Sequence, residues 1–263
     1  MPELPEVSTF QKYLDGTSLD QKIQEVIVRD DKIIRNMSGE MFARGLTGRS
    51  LVNSYRRGKY LFARMDNGHS LLLHFGMTGD LCYYHQPEDQ PKHERFHLRF
   101  DHGAILGFDC PRKFARILLL EDEGAYIESI QLGEDALKIR ESDFIAEAKS
   151  RKCTIKGLLL NQKILAGVGN LYADEVCYQC QVHPASRVIA LPPNKLKEMH
   201  RKLHKILSTA VESHAHYKEY PDDWFWAWRK DGALHPKTGE IIERTKIAGR
   251  TSYYFPKYQK KYE

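Results

Sequence analysis

The first six residues, MPELPE, hold the side chains with the clearest chemical use. Removal of Met1, which a small second residue permits, would make Pro2 a terminal secondary amine with a pKa below that of lysine. Such an amine is a nucleophile near neutral pH and can form an iminium with an electrophilic carbon, with Glu3 as proton donor or acceptor. The alternative is structural, because Pro2 and Pro5 suit a first helical turn and Glu6 suits its positive end. A retained Met1 would block the amine.

Two short stretches could hold phosphate groups. Residues 167–170, GVGN, lie where one predicted helix ends and another starts, so that backbone N–H groups and the Asn170 amide can face an anion. Residues 56–59, RRGK, form a compact cationic patch at the start of a predicted strand. The alternatives are a plain connection between two helices for the first stretch and solvated surface for the second.

Two loops combine apolar side chains with an arginine. The stretches HFGMTG at 74–79 and PRKF at 111–114 both follow predicted strands. Met77 and Phe114 could act as apolar wedges, and Arg112 could donate to a base edge, which is what filling the gap left by a flipped-out base requires. The alternative is that Met77 and Phe114 belong to the apolar core.

The elements that would position these residues change in character along the chain. Apolar spacing predicts a helix over 3–14, ending at the turn signal Asp15-Gly16. Short strands with tight turns follow and favour an antiparallel β-sandwich or barrel. The predicted strands cover 22–30, 50–65, 69–77, 96–100, 104–108 and 115–120.

Helical periodicity takes over from about residue 144. The longest predicted helix runs from Asn194 to Ser213, and its apolar stripe comprises Leu196, Met199, Leu203, Ile206 and Leu207. The tail carries two strands, EIIERTK and TSYYF. We therefore expect an α+β multidomain chain with a sandwich domain at 1–132, a helical domain at 133–215 and a third region at 216–263.

Composition narrows the class of protein. The formal charge of +5 is consistent with a polyanionic partner, and no stretch has the length or apolar character of a spanning helix or a signal peptide. The five cysteines do not form a disulfide framework, which fits a reducing compartment. We expect a cytoplasmic protein, associated with the nucleoid if bacterial, that makes no contact with membranes.

Six motifs together resemble one family. MPELPEV at the N-terminus, RRGKYL, HFGMTG, CPRKF, GVGNLYADE and VHP are similar, in order and spacing, to the formamidopyrimidine-DNA glycosylase and endonuclease VIII family. The resemblance spans nearly the whole chain. It implies a base-excision repair enzyme with an N-terminal β-sandwich, a helix-two-turn-helix domain and a C-terminal β-hairpin finger.

The resemblance also implies roles for individual residues. Pro2 matches the family's nucleophile on the sugar anomeric carbon, which supports β- and δ-elimination, and Glu3 matches its catalytic acid/base. Lys59 matches a lysine that contacts a phosphate beside the lesion and assists catalysis. The matched DNA-binding positions are Glu6 in the N-terminal signature, Asn170 at a backbone phosphate, Arg250 in the finger, and the void-filling set Met77, Arg112 and Phe114, with Arg112 facing the orphaned base.

The finger departs from the family pattern. Where members commonly place four zinc-binding cysteines, this chain has His235, Thr238, Phe255 and Tyr258. We expect a zincless finger, a form that also occurs in the family, and no metal or other cofactor. The lone C-x-x-C of Cys177 and Cys180, with only His183 nearby, is a poor candidate for a metal or redox site.

The substrate is less sharply defined. The set Met77, Arg112 and Phe114 resembles the purine-oxidation branch, which implies 8-oxoguanine and formamidopyrimidines in double-stranded DNA, or abasic sites, bound by a monomer. The aromatic-rich stretch between Ser213 and Lys230, where the family's lesion-capping loop lies, leaves oxidised pyrimidines and bulkier lesions open. Two rivals are a non-catalytic damage-binding protein and a metal-dependent nuclease, although the chain shows no paired carboxylate motif near its basic patches.

Overall fold

Two antiparallel sheets of four strands each form most of the N-terminal part of the chain. The computed structural model describes residues 1–263 and separates into the units Met1–Gln131 and Leu132–Glu263. The strands of the first unit are β1 (Ile23–Val28), β2 (Leu51–Arg57), β3 (Tyr60–Met65), β4 (Ser70–His74), β5 (Asp80–Tyr84), β6 (Glu94–Phe100), β7 (Ile105–Asp109) and β8 (Arg116–Leu120). Their orders are β1-β6-β7-β5 and β2-β3-β4-β8. Inward-facing apolar side chains of both sheets share one core, so the predicted sandwich is confirmed.

Helix α1 (Leu4–Ser18) extends past the predicted stop at Asp15-Gly16. The Asp15 carboxylate is bound to β2, because it accepts a hydrogen bond from Ser54 Oγ at 2.6 Å. Ser18 is fully buried, which favours one more helical turn. Tertiary packing therefore overrides a turn signal that looks convincing locally.

The predicted strand over 50–65 is in fact the hairpin β2–β3. Its two-residue turn is Gly58-Lys59, where Gly58 adopts φ +58°, a left-handed conformation that glycine tolerates. The cationic patch at 56–59 consequently lies at a hairpin tip and not at a strand start. The sequence prediction also missed β5 and two helices, α2 (Gly39–Leu46) and α3 (Glu123–Ser129).

The second unit is mainly helical. Its helices are α4 (Glu141–Lys149), α5 (Ile155–Leu160), α6 (Asn170–Gln179) and α7 (Pro193–Glu212), and β9 (Glu134–Asp135) pairs with β10 (Leu165–Ala166) in parallel. The apolar stripe of α7 is buried as predicted. None of the helices combines the length and apolar character needed to cross a membrane.

The chain ends in a hairpin of β11 (Glu243–Ile247) and β12 (Arg250–Tyr254), preceded by a 3₁₀ turn at Phe225–Trp228. Phe225 and Phe255 join Tyr178 of α6 in a small apolar cluster. The last residues then return to the helices, where Lys260 N donates to Gln181 O at 2.8 Å. Residues 132–263 thus pack as one unit, and their division at 215/216 stays a prediction.

Candidate active site and nucleic-acid interface

The first turn of α1 carries the predicted nucleophile and proton-transfer residue. Pro2 is half-buried, whereas Glu3 is only 5% exposed and caps the helix. Glu6 Oε2 accepts a hydrogen bond from Glu3 N at 2.9 Å, which orders the backbone beside Pro2. The stretch therefore forms the first helical turn, as its structural interpretation predicts. The same turn fixes the positions of Pro2 and Glu3, which the proposed chemistry needs. In the full chain Pro2 N is an amide, so that use requires removal of Met1.

Hydrogen bonds join α1 to the β2–β3 turn. Arg56 Nε donates to Ser8 Oγ at 2.9 Å, and Arg56 Nη1 donates to Gly58 O at 3.0 Å. Lys59, in the same turn, is only 8% exposed, which is unusual for a lysine. The turn that holds Lys59 is therefore fixed against the helix that begins beside Pro2.

Helix α1 also packs against the loop that carries Met77. The rings of Phe10 and Phe75 stack with centroids 4.1 Å apart. His74, at the end of β4, accepts a hydrogen bond from Gly76 N at its Nδ1. Burial, together with the positive charges of Arg116 and Lys59, lowers the pKa of His74 to about 3. His74 is thus neutral and can accept the bond that shapes the start of this loop.

The loops 74–79 and 110–114 touch each other. A Cβ atom on Gly76, where φ is +61°, would lie 2.4 Å from the carbonyl carbon of Phe114, so only glycine fits. Arg112 N donates to Thr78 Oγ1 at 3.3 Å, and the Arg112 guanidinium lies 5.2 Å from the centroid of the Phe114 ring. The three residues of the predicted void-filling set therefore come from one joined surface.

That surface is open. Met77 is 38% exposed and Phe114 is 53% exposed, and Arg112 is exposed as well. The alternative that assigned Met77 and Phe114 to the core is wrong. Exposed apolar side chains beside an arginine suit contact with bases.

In the second unit, Asn170 is the first residue of α6 and follows Gly169 directly. Its Nδ2 donates to Thr251 O of β12 at 3.0 Å. Arg250, next to Thr251, is the exposed first residue of β12 and directly follows the tight β11–β12 turn. The structure thus brings Asn170 to the turn end of the hairpin, where it contacts the residue next to Arg250.

The sequence prediction missed a buried ionic cluster on α6. Lys156 Nζ lies 2.6 Å from Asp174 Oδ1, both side chains are fully buried, and Arg229 Nη2 lies 2.9 Å from Asp174 Oδ2. Burial raises the pKa of Asp174 and lowers that of Lys156, against the attraction between their charges. The sequence signal that could have revealed this cluster was the adjacent pair Asp174 and Glu175 in GVGNLYADE, because apolar periodicity does not explain their place in a helix.

Glu175, the next residue, is also buried. Its Oε1 accepts from Phe225 N and its Oε2 from Trp226 N, both at 3.1 Å. Burial raises the pKa of Glu175 to about 7, although these hydrogen bonds and one from Gln179 lower it. Asp174 and Glu175 thereby connect α6 to two separate parts of the C-terminal chain.

The finger does not fit zinc. His235 Nδ1 accepts from Thr238 N at 3.1 Å, and His235 Nε2 lies 3.3 Å from Tyr178 OH, so both ring nitrogens have protein partners. The Tyr258 and Phe255 rings pack on the imidazole, with centroids at 4.4 and 4.8 Å. Neither supplies a thiolate or imidazole ligand.

Cys177 and Cys180 are both buried. Burial raises the pKa of Cys180 to about 12 and that of Cys177 well above its ordinary value, so both are thiols and not the thiolates that bind metals. No group of three or more His, Cys, Asp or Glu side chains in residues 1–263 is arranged to hold a metal ion.

Comparisons with known proteins agree with this arrangement. Residues 1–117 match the formamidopyrimidine-DNA glycosylase N-terminal domain, and residues 132–220 match the formamidopyrimidine-DNA glycosylase H2TH domain. Among curated relatives, a formamidopyrimidine-DNA glycosylase of Carboxydothermus hydrogenoformans is 32% identical over 99% of this chain and 100% of its own. One of Arabidopsis thaliana is 31% identical over 100% of this chain and 72% of its own.

Solved structures give the same result. A Lactococcus lactis formamidopyrimidine-DNA glycosylase, non-covalently bound to DNA containing an abasic site, superposes with a TM-score of 0.89 and 25% identity, covering 98% of this chain and 100% of the other. A complex of the LlFpg protein with a THF-DNA and an inhibitor has a TM-score of 0.89 and 26% identity, covering 99% and 100%.

Proposed function

Because the chain belongs to the formamidopyrimidine-DNA glycosylase family, we propose that it removes damaged bases through the amine of Pro2. The protein is a DNA glycosylase of base excision repair that acts on oxidised bases and also has abasic-site lyase activity. Its partner is DNA that contains a damaged base or an abasic site.

The proposed reaction begins once Met1 has been removed. The Pro2 nitrogen attacks the sugar anomeric carbon, the glycosidic bond to the damaged base breaks, and the base leaves with a proton. Opening of the sugar ring gives an iminium between Pro2 and the sugar, and β- and δ-elimination then cleave the strand. Glu3, buried beside Pro2, is positioned to donate and accept the protons that these steps move.

Other residues hold the DNA in this proposal. Lys59 supplies a positive charge to a phosphate beside the lesion, and Asn170 and Arg250 contact the backbone from the second unit. Glu6 orders the N-terminal turn through its bond to Glu3 N. Met77, Arg112 and Phe114 fill the space that the extruded base leaves, with Arg112 toward the orphaned base.

One observation carries the proposal. Helix α1 contacts the Lys59 turn through Ser8 and Arg56, and it contacts the Met77 loop through the stacked rings of Phe10 and Phe75. The residues that would do chemistry and the loop that carries Met77 are therefore arranged around one helix of the first unit. A scaffold that only bound damage would not need a nucleophile at that point.

Borohydride trapping tests the chemistry. Duplexes carrying 8-oxoguanine or an abasic site are incubated with the wild type, Pro2→Gly and Glu3→Gln, after mass spectrometry has shown that Met1 is absent. We expect a covalent adduct for the wild type and its suppression by Glu3→Gln, because proton transfer is lost. A trap unaffected by either substitution would contradict the assignment, and a retained Met1 would favour a non-catalytic binder.

Lesion choice and the finger complete the proposal. The set Met77, Arg112 and Phe114 supports 8-oxoguanine and formamidopyrimidines as preferred lesions, and excision of thymine glycol at a higher rate would favour oxidised pyrimidines instead.

The contacts of His235 support a finger that needs no zinc. The free cysteines support the cytoplasm as the compartment.

A further inference from the structure

An ion pair joins the middle of the loop 110–114 to the segment that follows β1. Lys113 Nζ lies 2.5 Å from Asp30 Oδ2, and Lys113 stands between Arg112 and Phe114 in the chain. Lys113 adopts φ +54°, a left-handed conformation that is uncommon for residues other than glycine. Its side chain is thus bound to Asp30, while both of its neighbours are exposed.

Arg95 of β6 binds the first part of the same loop through its backbone. Arg95 Nε donates to Cys110 O at 2.8 Å, and Arg95 Nη2 donates to Pro111 O at 3.2 Å. Arg95 Nη1 also lies 3.6 Å from Asp30 Oδ2. One carboxylate oxygen therefore faces two cations, of which one belongs to the loop and the other binds the loop's carbonyl groups.

An irregularity of the sheet places Arg95 at this point. The register of the β6–β7 ladder shifts between Glu94 and Phe96, so Arg95 is the extra residue of a β-bulge. Bulges are frequent beside active sites, where they redirect a side chain. The Arg95 carbonyl oxygen accepts hydrogen bonds from Arg29 N at 2.8 Å and Asp30 N at 3.1 Å. Asp30 and Arg95 are therefore fixed to each other through the backbone as well.

The Asp30 carboxylate is ionised and half-buried. A hydrogen bond from the Lys113 ammonium lowers the pKa of Asp30 below its ordinary value, although partial burial opposes this. Lys32 N donates to the second carboxylate oxygen, Oδ1, at 3.2 Å. Salt screens a partly buried ion pair less than an exposed one, so this pair persists at the ionic strengths at which proteins bind DNA.

We propose that Asp30 and Arg95 are positioning residues that set the selectivity of Arg112 for the base opposite the lesion. This inference rests on the proposed function, in which Arg112 faces the orphaned base. An arginine distinguishes bases by the geometry of its donors, so a displaced loop discriminates less well between two opposite bases. Asp30 and Arg95 act through the loop 110–114 and not through contact with DNA.

The test measures single-turnover excision of 8-oxoguanine opposite cytosine and opposite adenine. Asp30→Asn removes the charge at nearly constant shape. Glu25→Gln is the matched control, because Glu25 of β1 pairs with Arg99 of β6 at 3.6 Å and the net charge changes equally in both variants. We expect the ratio of the two rates to move about fivefold closer to one in Asp30→Asn. The ratio should keep its wild-type value in Glu25→Gln.

Further variants separate positioning from general stability. In an Arg112→Ala background, Asp30→Asn should not change the ratio again, because the two residues act in one pathway. Arg95→Lys keeps the positive charge but loses the planar arrangement of donors, and it should reduce the ratio as Asp30→Asn does. Lys113→Gly suits the left-handed φ better than lysine does, yet it removes the ammonium group, so it should also lose selectivity.

Several outcomes would overturn the proposal. One is an unchanged ratio in Asp30→Asn, and another is the same fall in Asp30→Asn and Glu25→Gln. Equal rates on the two duplexes in the wild type would count against it too, since the ion pair would have no selectivity to set. Tighter DNA binding by Asp30→Asn with an unchanged ratio would mean that Lys113 had been released to contact phosphates, which also contradicts the positioning role.

Failure of the proposed function gives a different result. If the wild type forms no borohydride adduct on an abasic duplex, the Pro2 chemistry is wrong whatever Asp30 does. If the adduct forms and the ratio does not respond to Asp30→Asn, only the positioning role is wrong.

Discussion

Gly76 is the residue on which the loop geometry of the first unit depends. Its φ of +61° lies in the left-handed region, and an added Cβ would meet the Phe114 carbonyl oxygen at 2.4 Å. Both loops that carry the proposed void-filling side chains would have to separate to relieve this contact. The positive φ and the close contact with Phe114 both oppose a side chain at position 76. A glycine that has a positive φ but no close contact can serve as a control that separates the two effects.

We predict that Gly76→Ala lowers the free energy of unfolding by about 2 kcal/mol or more and slows 8-oxoguanine excision at least tenfold. Gly103→Ala is the matched control, because Gly103 has φ +94° in the same unit and nothing within 4 Å of an added Cβ. It should lose stability through its φ angle and keep its excision rate. Equal excision rates for the two variants would show that the loops tolerate separation.

At this scale the sequence was informative about residue types but not about distances. HFGMTG and PRKF identified Met77, Arg112 and Phe114 as a set, and the structure places them together. The contact between Gly76 and Phe114 joins positions far apart in the chain, and no local pattern reports it.

Among the elements, the zincless finger that we propose would need other contacts in place of metal ligands. In a zinc site the ion gathers ligands from two turns, and here the His235 ring gathers hydrogen bonds from its own turn and from α6. Burial lowers the pKa of His235, so the ring is neutral at pH 7 and its Nδ1 can accept from Thr238 N. Protonation would place a second donor against that N–H group.

This gives a pH dependence with a definite sign. Because the folded pKa of His235 lies below its ordinary value of about 6.5, the unfolded chain binds more protons as pH falls, and the stabilisation is present above that value and lost below it. We predict that His235→Gln lowers the melting temperature at pH 7.5 and that the gap to the wild type narrows at pH 5. Thermal unfolding of both proteins measures the gap.

His216→Gln serves as the control, because His216 is exposed. Its gap to the wild type should be small and should not change with pH. A gap for His235→Gln that stays constant from pH 7.5 to pH 5 would mean that the imidazole contributes only through packing.

Most strands and the long helices were predictable because their periodicity is strong, as in the buried stripe of α7, although β5 was missed and β2 and β3 were predicted as one strand. Elements set by tertiary contacts were not. The extension of α1 depends on Ser54, and the 3₁₀ turn at Phe225–Trp228 depends on a carboxylate from α6, so neither has a signal in its own residues.

At the scale of the whole molecule, the buried ionic cluster around Asp174 of α6 could not be predicted from the sequence. Lys156, Asp174 and Arg229 come from three separate segments and would each be assigned to the surface by composition. Paired inside the protein they hold the helices and the hairpin together, and removing one partner would leave a buried charge uncompensated. Their pairing is a property of the completed fold.

Two classes of strand-cleaving reaction differ in whether they need a bound metal ion. A phosphoryl-transfer nuclease stabilises its transition state with bound Mg²⁺ or a similar ion, whereas an amine nucleophile needs none. The chain has no cluster of three metal-ligating side chains, and the ring nitrogens of His235 are occupied by protein partners. We predict that excess chelator leaves excision of 8-oxoguanine and strand cleavage within twofold of their rates without it. A metal-dependent restriction endonuclease in the same buffer should stop completely. Loss of strand cleavage by the repair protein alone would mean that an ion takes part, and elemental analysis of the purified protein would identify that ion.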